Sequence, residues 1–232
     1  MKSILLSALL CSFFFLSCSS DDSIENMPTT NYKKYARSIN DVPGSTANAY
    51  DATGDLQYQI LLNVVSNTPA NTLSSIVTTT NTAALANTGF IAIAPAFAGI
   101  TTAQVQWVID CNGNSQTVVN NSGTSATGRA QLILFLDLMD GAETNEYSDN
   151  YDAIIDFEDK INNATNLTAT DKVLILRTTS IARYVCYYVD DKDKDWHGVK
   201  SALFGAIKGG NTNVETAIAL AVACGIQQNM NE

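Results

Sequence analysis

The chain has 232 residues, 13 of them basic and 23 acidic, for a formal net charge of −10. That balance, with no basic run to offset it, disfavours nucleic acid and anionic membrane surfaces as partners. The one histidine, His197, excludes zinc sites built on several histidines and leaves no second histidine for a relay.

Met1-Lys2-Ser3 forms a short positive start, and Ile4 to Ser17 is an almost unbroken apolar run that includes Phe13-Phe14-Phe15-Leu16. Its length suits the apolar region of a signal peptide and falls short of a bilayer span. The run stops at Leu16-Ser17-Cys18-Ser19, which resembles the lipobox of bacterial lipoproteins. The cysteine thiol takes the lipid, and the small residue before it lets the peptidase approach the backbone. Residues 1–17 are therefore expected to leave as a signal peptide, with Cys18 as the lipid attachment site. Several acyl chains, each buried methylene worth about 0.8 kcal/mol, make an outer-membrane anchor without a transmembrane helix.

Ser19-Ser20-Asp21-Asp22-Ser23 resembles the serine and acidic stretch that follows the lipidated cysteine in lipoproteins of the Bacteroidota. That resemblance implies transport to the outer face of the outer membrane. Asp22-Ser23-Ile24 also resembles the short O-glycosylation site of that phylum. Residues 18–45 are polar, with Pro28, Pro43 and Gly44, and are expected to form a flexible tether with a reach of about 30 Å.

Residues 46–232 read as one helical domain. Leu56, Ile60, Leu61 and Val64 share a helical face. Residues 67–100 are rich in Thr, Asn and Ala, and Thr78-Thr79-Thr80 pulls towards strand without any alternation to support it. Phe90 to Ile100, broken by Pro95 and Gly99, predicts a buried irregular segment or a short helix. Thr101-x-x-Gln104 matches a capping box, so a helix follows through Trp107 towards Cys111. Residues 112–128 read as a loop. Leu132, Phe135, Leu136 and Met139 mark the next helix. Tyr151, Ile154, Ile155 and Ile161 mark another, with its carboxylates expected to face water.

Thr168-x-x-Asp171 opens the most apolar helix, which runs to about Val189 and has the composition of a central element. Val199–Lys208 and Val214–Gln228 predict a helical hairpin, with Gly209-Gly210 ending its first helix and Thr212-x-x-Glu215 capping its second. Its small residues, among them Ala202, Gly205, Ala217 and Ala221, allow close packing. The expected fold class is all-α, a helical-bundle-like domain after a signal peptide and tether.

Two segments, Leu174-Ile175-Leu176-Arg177-Thr178-Thr179-Ser180-Ile181-Ala182-Arg183-Tyr184 and Tyr50-Asp51-x-x-Gly54-x-Leu56, resemble small uncharacterised lipoproteins and secreted proteins of the Bacteroidota. Some relatives in that group carry His-Asn after the glycine, where this chain has Gln57 and Tyr58. The resemblance implies a lipoprotein with a helical domain and carries no activity with it.

Candidate chemistry is sparse. Asp191, Asp193 and Asp195 have the alternate spacing of a calcium loop, because hard cations gather several oxygens. Trp196 stands where the turn glycine belongs and Ala202 where the bidentate carboxylate belongs, so the motif is incomplete and a solvated acidic link is the competing reading. His197 has no G-x-S-x-G turn to serve. Asp152 and Asp156 share a helix face, a spacing that any acidic helix satisfies. Arg177 and Arg183, inside the most apolar helix, each need a partner, with a nearby Asp or Glu expected. Once Cys11 has left and Cys18 is lipidated, Cys111, Cys186 and Cys224 allow one disulfide and one free thiol, or three buried thiols. The leading expectation is a surface-exposed, lipid-anchored binding or structural module without catalysis, its protein or glycan partner unspecified. The alternatives are an enzyme acting on surface polymers through paired carboxylates, and a membrane-active protein acting through the C-terminal hairpin.

Overall fold

The computed structural model describes residues 42–67, 72–111, 113–192 and 196–228, the side chains of 67, 191 and 192 excepted. Among these residues there are ten α-helices and no strand, in a single compact unit. In chain order they are α1 (Asp51–Asn67), α2 (Leu73–Ala86), α3 (Thr88–Ile93), α4 (Thr102–Asp110) and α5 (Ser115–Asn120). There follow α6 (Ala126–Asp140), α7 (Tyr147–Asn163), α8 (Ala169–Lys192), α9 (Trp196–Gly210) and α10 (Val214–Gln228). The all-α expectation holds.

The centre of the domain is α10, which packs against α9, α1, α2, α4 and α8. Ala217 to Cys224 are at most 1% exposed, so the helix is apolar on every side because every side is covered. Its partner α9 lies so close at two positions that even a Cβ does not fit. A Cβ on Gly205 would stand 2.5 Å from the Leu220 carbonyl oxygen, and one on Gly209 would stand 2.5 Å from the Thr216 carbonyl carbon. The expected role of Gly209-Gly210 as a helix stop is thus only part of their use. Both belong to the last turn of α9, and Gly209 is there for contact. The cap of α10 also differs from Thr212: Asn213 Oδ1 accepts from the Thr216 amide at 2.9 Å, while the Thr212 amide is spent on the Gly209 carbonyl at 2.8 Å.

Other ends follow their sequence signals. Thr101 and Gln104 form a capping box on α4. Thr168 and Asp171 cap each other at the start of α8, with the Asp171 amide donating to Thr168 Oγ1 at 3.1 Å and the Thr168 amide to Asp171 Oδ2 at 3.0 Å. The Asp171 carboxylate also receives the Ser125 amide at 2.8 Å and the Ser125 hydroxyl at 2.7 Å, which ties α6 to α8. Burial would raise the pKa of Asp171, but these donors outweigh it and hold the carboxyl below its ordinary value.

The Thr-rich stretch is helix, not strand. Thr72 and Ser75 form a capping box, and Thr78 and Thr82 each donate a hydroxyl to the carbonyl four residues back at 2.9 Å. Phe90 to Ile100 begins as the short helix α3, started by Asn87 Oδ1 on the Phe90 amide. The expected loop at 112–128 contains α5, capped by Asn114.

Two apolar clusters form the core. The larger joins α2 and α4–α10, and the smaller joins α1 with α2, α3, Tyr188 and α10. Each fully buried large side chain, such as Phe90, Phe135 or Ile154, contributes about 1.5–3 kcal/mol. No described helix is long and apolar enough to cross a membrane.

Candidate functional site

The segments 174–184 and 50–56 meet in space, along the seam between α1 and α8. Gly54 makes the approach possible, since a Cβ there would stand 2.4 Å from the Tyr184 ring and 2.5 Å from the Ser180 carbonyl. The Gly54 amide donates to Ser180 Oγ at 2.9 Å, and that hydroxyl donates to the Asp51 carbonyl at 2.9 Å.

Arg183 is the centre of this seam, with its side chain fully buried. Its guanidinium donates to Asp51 Oδ1 at 2.5 Å, to Glu158 Oε1 at 3.2 Å and to the Pro43 carbonyl. Glu158 Oε1 further accepts Asn48 Nδ2 and the Thr179 hydroxyl, both at 2.7 Å. Tyr184 donates to Asp51 Oδ2 at 3.2 Å, and burial followed by the Asp51 charge pushes that phenol's pKa up. Burial works against the Arg183 charge, yet the carboxylates of Glu158 and Asp51 prevail and raise its pKa. The expected acidic partner of Arg183 is therefore present twice. Glu158 departs from the water-facing expectation for its helix: it is 1% exposed, whereas Asp152, Asp156 and Asp159 do face water.

The seam reaches the entry of the domain. Pro43 is buried, its carbonyl held by Arg183, the Gly44 carbonyl receives the Tyr151 hydroxyl at 3.0 Å, and the Ser45 amide donates to Asp51 Oδ1 at 3.1 Å. Residues 43–45, expected at the end of the tether, are part of the packed domain. With Arg183 and Glu158 closed off from water, the arrangement holds chain segments in register. Arg177 differs from Arg183. Its guanidinium lies 5.3 Å from the centre of the Tyr50 ring, and burial lowers its pKa, opposed by Tyr50 and Glu215.

A half-open cleft of about 180 Å³ lies between the start of α7, the end of α8 and the start of α9. Glu143, Tyr147, Asn150, Asp190 and Trp196 line it, and Cys186 lies at its wall. The Trp196 indole is fixed by donating to the Met139 carbonyl at 3.2 Å, and the Tyr147 ring by an edge contact with Tyr187 at 5.4 Å. Sequence reasoning missed this cleft, since Glu143 stands outside any periodic run.

The remaining expected site residues separate. Cys18, Asp193 and Asp195 lie outside the described residues, and of Asp191 only the backbone, in the last turn of α8, is described. Among the described residues no group of three or more His, Cys, Asp or Glu gathers as a metal site. His197 is exposed on the first turn of α9. Cys111, Cys186 and Cys224 are free and buried. Burial pushes the Cys186 thiol up to about 12, and it raises those of Cys224 and Cys111 as well. Comparison of the chain with protein-family models, with curated proteins and with solved structures finds no match.

Proposed function

We propose that the chain is a lipid-anchored module of the outer membrane, facing outward, that binds and does not catalyse. What supports this is how the domain is held at its N-terminal end. The first residues of a domain usually fray unless they are tied down. Here the entry at Pro43 and Ser45 is tied to Arg183 and Asp51, and through Arg183 to the longest helix. Such an entry suits a domain suspended from the lipobox-like Cys18 by a polar tether. The cleft is the natural binding site of the module. Two carboxylates beside a fixed indole and a phenol ring suit a small organic cation.

Fractionation and protease shaving of intact cells test the anchor and its face. Cys18→Ala is expected to leave the membrane fraction. Wild-type protein is expected to be digested from outside, and the Asp21→Ala/Asp22→Ala double variant to be protected. Survival of both until the outer membrane is opened would place the protein on the periplasmic side and overturn outward display.

An enzyme acting on surface polymers is the second reading, and one observation favours it: Glu143 and Asp190 line the same cleft. Release of new reducing ends from surface polysaccharide, lost in Glu143→Gln, would establish it over the binding reading. The membrane-active reading requires α10, whose middle is now sealed in the core, to leave the domain first.

A further inference from the structure

The cleft between the start of α7, the end of α8 and the start of α9 has a charge and a hydrogen-bonding character of its own. Glu143 stands in the link between α6 and α7, Asp190 near the end of α8 and Trp196 at the first position of α9. No Lys or Arg lines it. The helix ends do not decide the sign of what it takes. The starts of α7 and α9 each present about half a positive charge, and the end of α8 about half a negative one. Glu143 and Asp190 each bring a formal negative charge, and Glu146 and Asp149, at the N-cap and in the first turn of α7, add to the same sign. The balance is negative. Among the described residues no three His, Cys, Asp or Glu gather here, so the charge is spread over the cleft and not focused as a metal cage would focus it.

The side-chain N–H groups of the cleft are largely spent. The Trp196 indole donates to the Met139 carbonyl at 3.2 Å, leaving its ring as the surface on offer. Asn150 is 3% exposed, with its amide donating to the Ala142 carbonyl at 3.0 Å and its Oδ1 accepting from Asn145 at 3.2 Å. It braces the wall and presents little to a ligand. Asn145 therefore spends one N–H on Asn150 and keeps its Oδ1 as an acceptor. A carboxylate accepts about four hydrogen bonds, so Glu143 and Asp190 add further acceptor capacity whatever else they touch. Acceptors thus outnumber donors by a wide margin.

We infer, on the reading that this cleft is the binding site, that it takes the end of an alkyl chain bearing an N–H cation, a primary ammonium or a guanidinium, with no anionic group beside it. An N–H cation supplies the donors that the cleft lacks, through charge-assisted bonds to the carboxylates, while its alkyl part lies against Trp196 and Val189. A quaternary ammonium would meet the rings but leave the carboxylates without a donor. A zwitterion would bring its own carboxylate against Glu143 and Asp190 and find few N–H groups to receive it. The volume fits the class. A cavity of about 150 Å³ holds benzene, so about 180 Å³ holds a chain end of similar bulk, and the open side lets the rest of the chain run out to solvent.

Trp196 supplies the readout. The chain has two tryptophans, and Trp107→Phe leaves Trp196 as the one indole. Its fluorescence is followed in the full chain, in a non-ionic detergent at constant ionic strength, as each probe is added into the millimolar range. Butylammonium and propylguanidinium are expected to perturb it saturably. Tetramethylammonium and β-alanine should each bind at least about tenfold more weakly, the equivalent of one charge-assisted hydrogen bond. Glu143→Gln and Asp190→Asn, judged folded by circular dichroism, should each weaken butylammonium about fivefold, and Asp156→Asn, on α7 away from the cleft, should not. Tetramethylammonium or β-alanine binding as tightly as butylammonium would overturn the inference and leave a small-molecule site in the cleft standing. No response to any probe, or binding of butylammonium untouched by both cleft variants, would overturn the cleft as the binding site and the inference with it.

Discussion

Arg183 shows how much a single buried charge decides. It is fully enclosed among Asp51, Glu158 and the Pro43 carbonyl. A buried ion pair is weak evidence for net stabilisation, because desolvation cancels much of the attraction. Removing one member is another matter, since its partners stay behind as uncompensated charges. Arg183→Met is therefore expected to lower unfolding stability by about 3–5 kcal/mol, and a urea titration reads the loss directly. Replacing Asp51 and Glu158 with Asn and Gln in the same chain should recover part of it, because the stranded charges go too. If Arg183→Met unfolded at the wild-type urea midpoint, the seam would be ornamental to the fold. The need of Arg183 for a partner was legible in its apolar helix. The identity of the partners was less so, because Asp51 is 132 residues away. Glu158 carried a signal that its acidic neighbours obscured: it stands four residues after Ile154 and three before Ile161, on the apolar face of α7.

Among the elements, those with a cap and a clear apolar face were legible in the sequence, and the others failed for identifiable reasons. The starts of α4 and α8 follow from Thr101-x-x-Gln104 and Thr168-x-x-Asp171, whose side chains satisfy end amides by purely local chemistry. The helix α2 was obscured by its threonines, whose β-branching disfavours helix until their hydroxyls find the carbonyl one turn back. The six residues of α5 are too few to display a period. Gly205 was legible among the small residues that allow close packing, whereas Gly209 read as a helix stop and serves contact between α9 and α10 as well. Gly205→Ala should gain helix propensity in isolation, yet its Cβ would lie 2.5 Å from Leu220 O, and the backbone has to move. We expect a net loss of about 1–3 kcal/mol, typical of overpacking, seen as a lower melting temperature. Gly141→Ala, whose nearest contact would be 3.6 Å away, is the matched control and should change little. Equal melting temperatures for the two variants would mean that the hairpin has slack which the structure does not display.

At the scale of the molecule, the placement of α10 predicts one cooperative unit. It touches α1, α2, α4, α8 and α9, and both apolar clusters of the core include its side chains. Three cysteines report on this from separate elements: Cys111 follows α4, Cys186 lies in α8 and Cys224 in α10. All three are buried, and burial raises all three thiols, Cys186 to about 12. The thiolate is the reactive form, so at neutral pH none of them should react with a disulfide reagent while the domain is folded. Labelling then requires opening, and each cysteine can be followed by the mass of its own peptide. If unfolding is all-or-none, the three sites gain label at the same denaturant midpoint, which coincides with the loss of helix by circular dichroism. Cys111 is the most exposing test, because at 8% it is the least covered and Lys208 partly opposes the rise of its pKa. Early labelling of Cys111 alone would mean that the end of α4 opens by itself, without disturbing α10. Early labelling of Cys224 would be the graver result, because that residue can meet the reagent only if the central helix leaves its neighbours while the rest of the domain stays folded. Coincident labelling at all three would establish that the apolar hairpin is held by the same transition that holds everything packed around it.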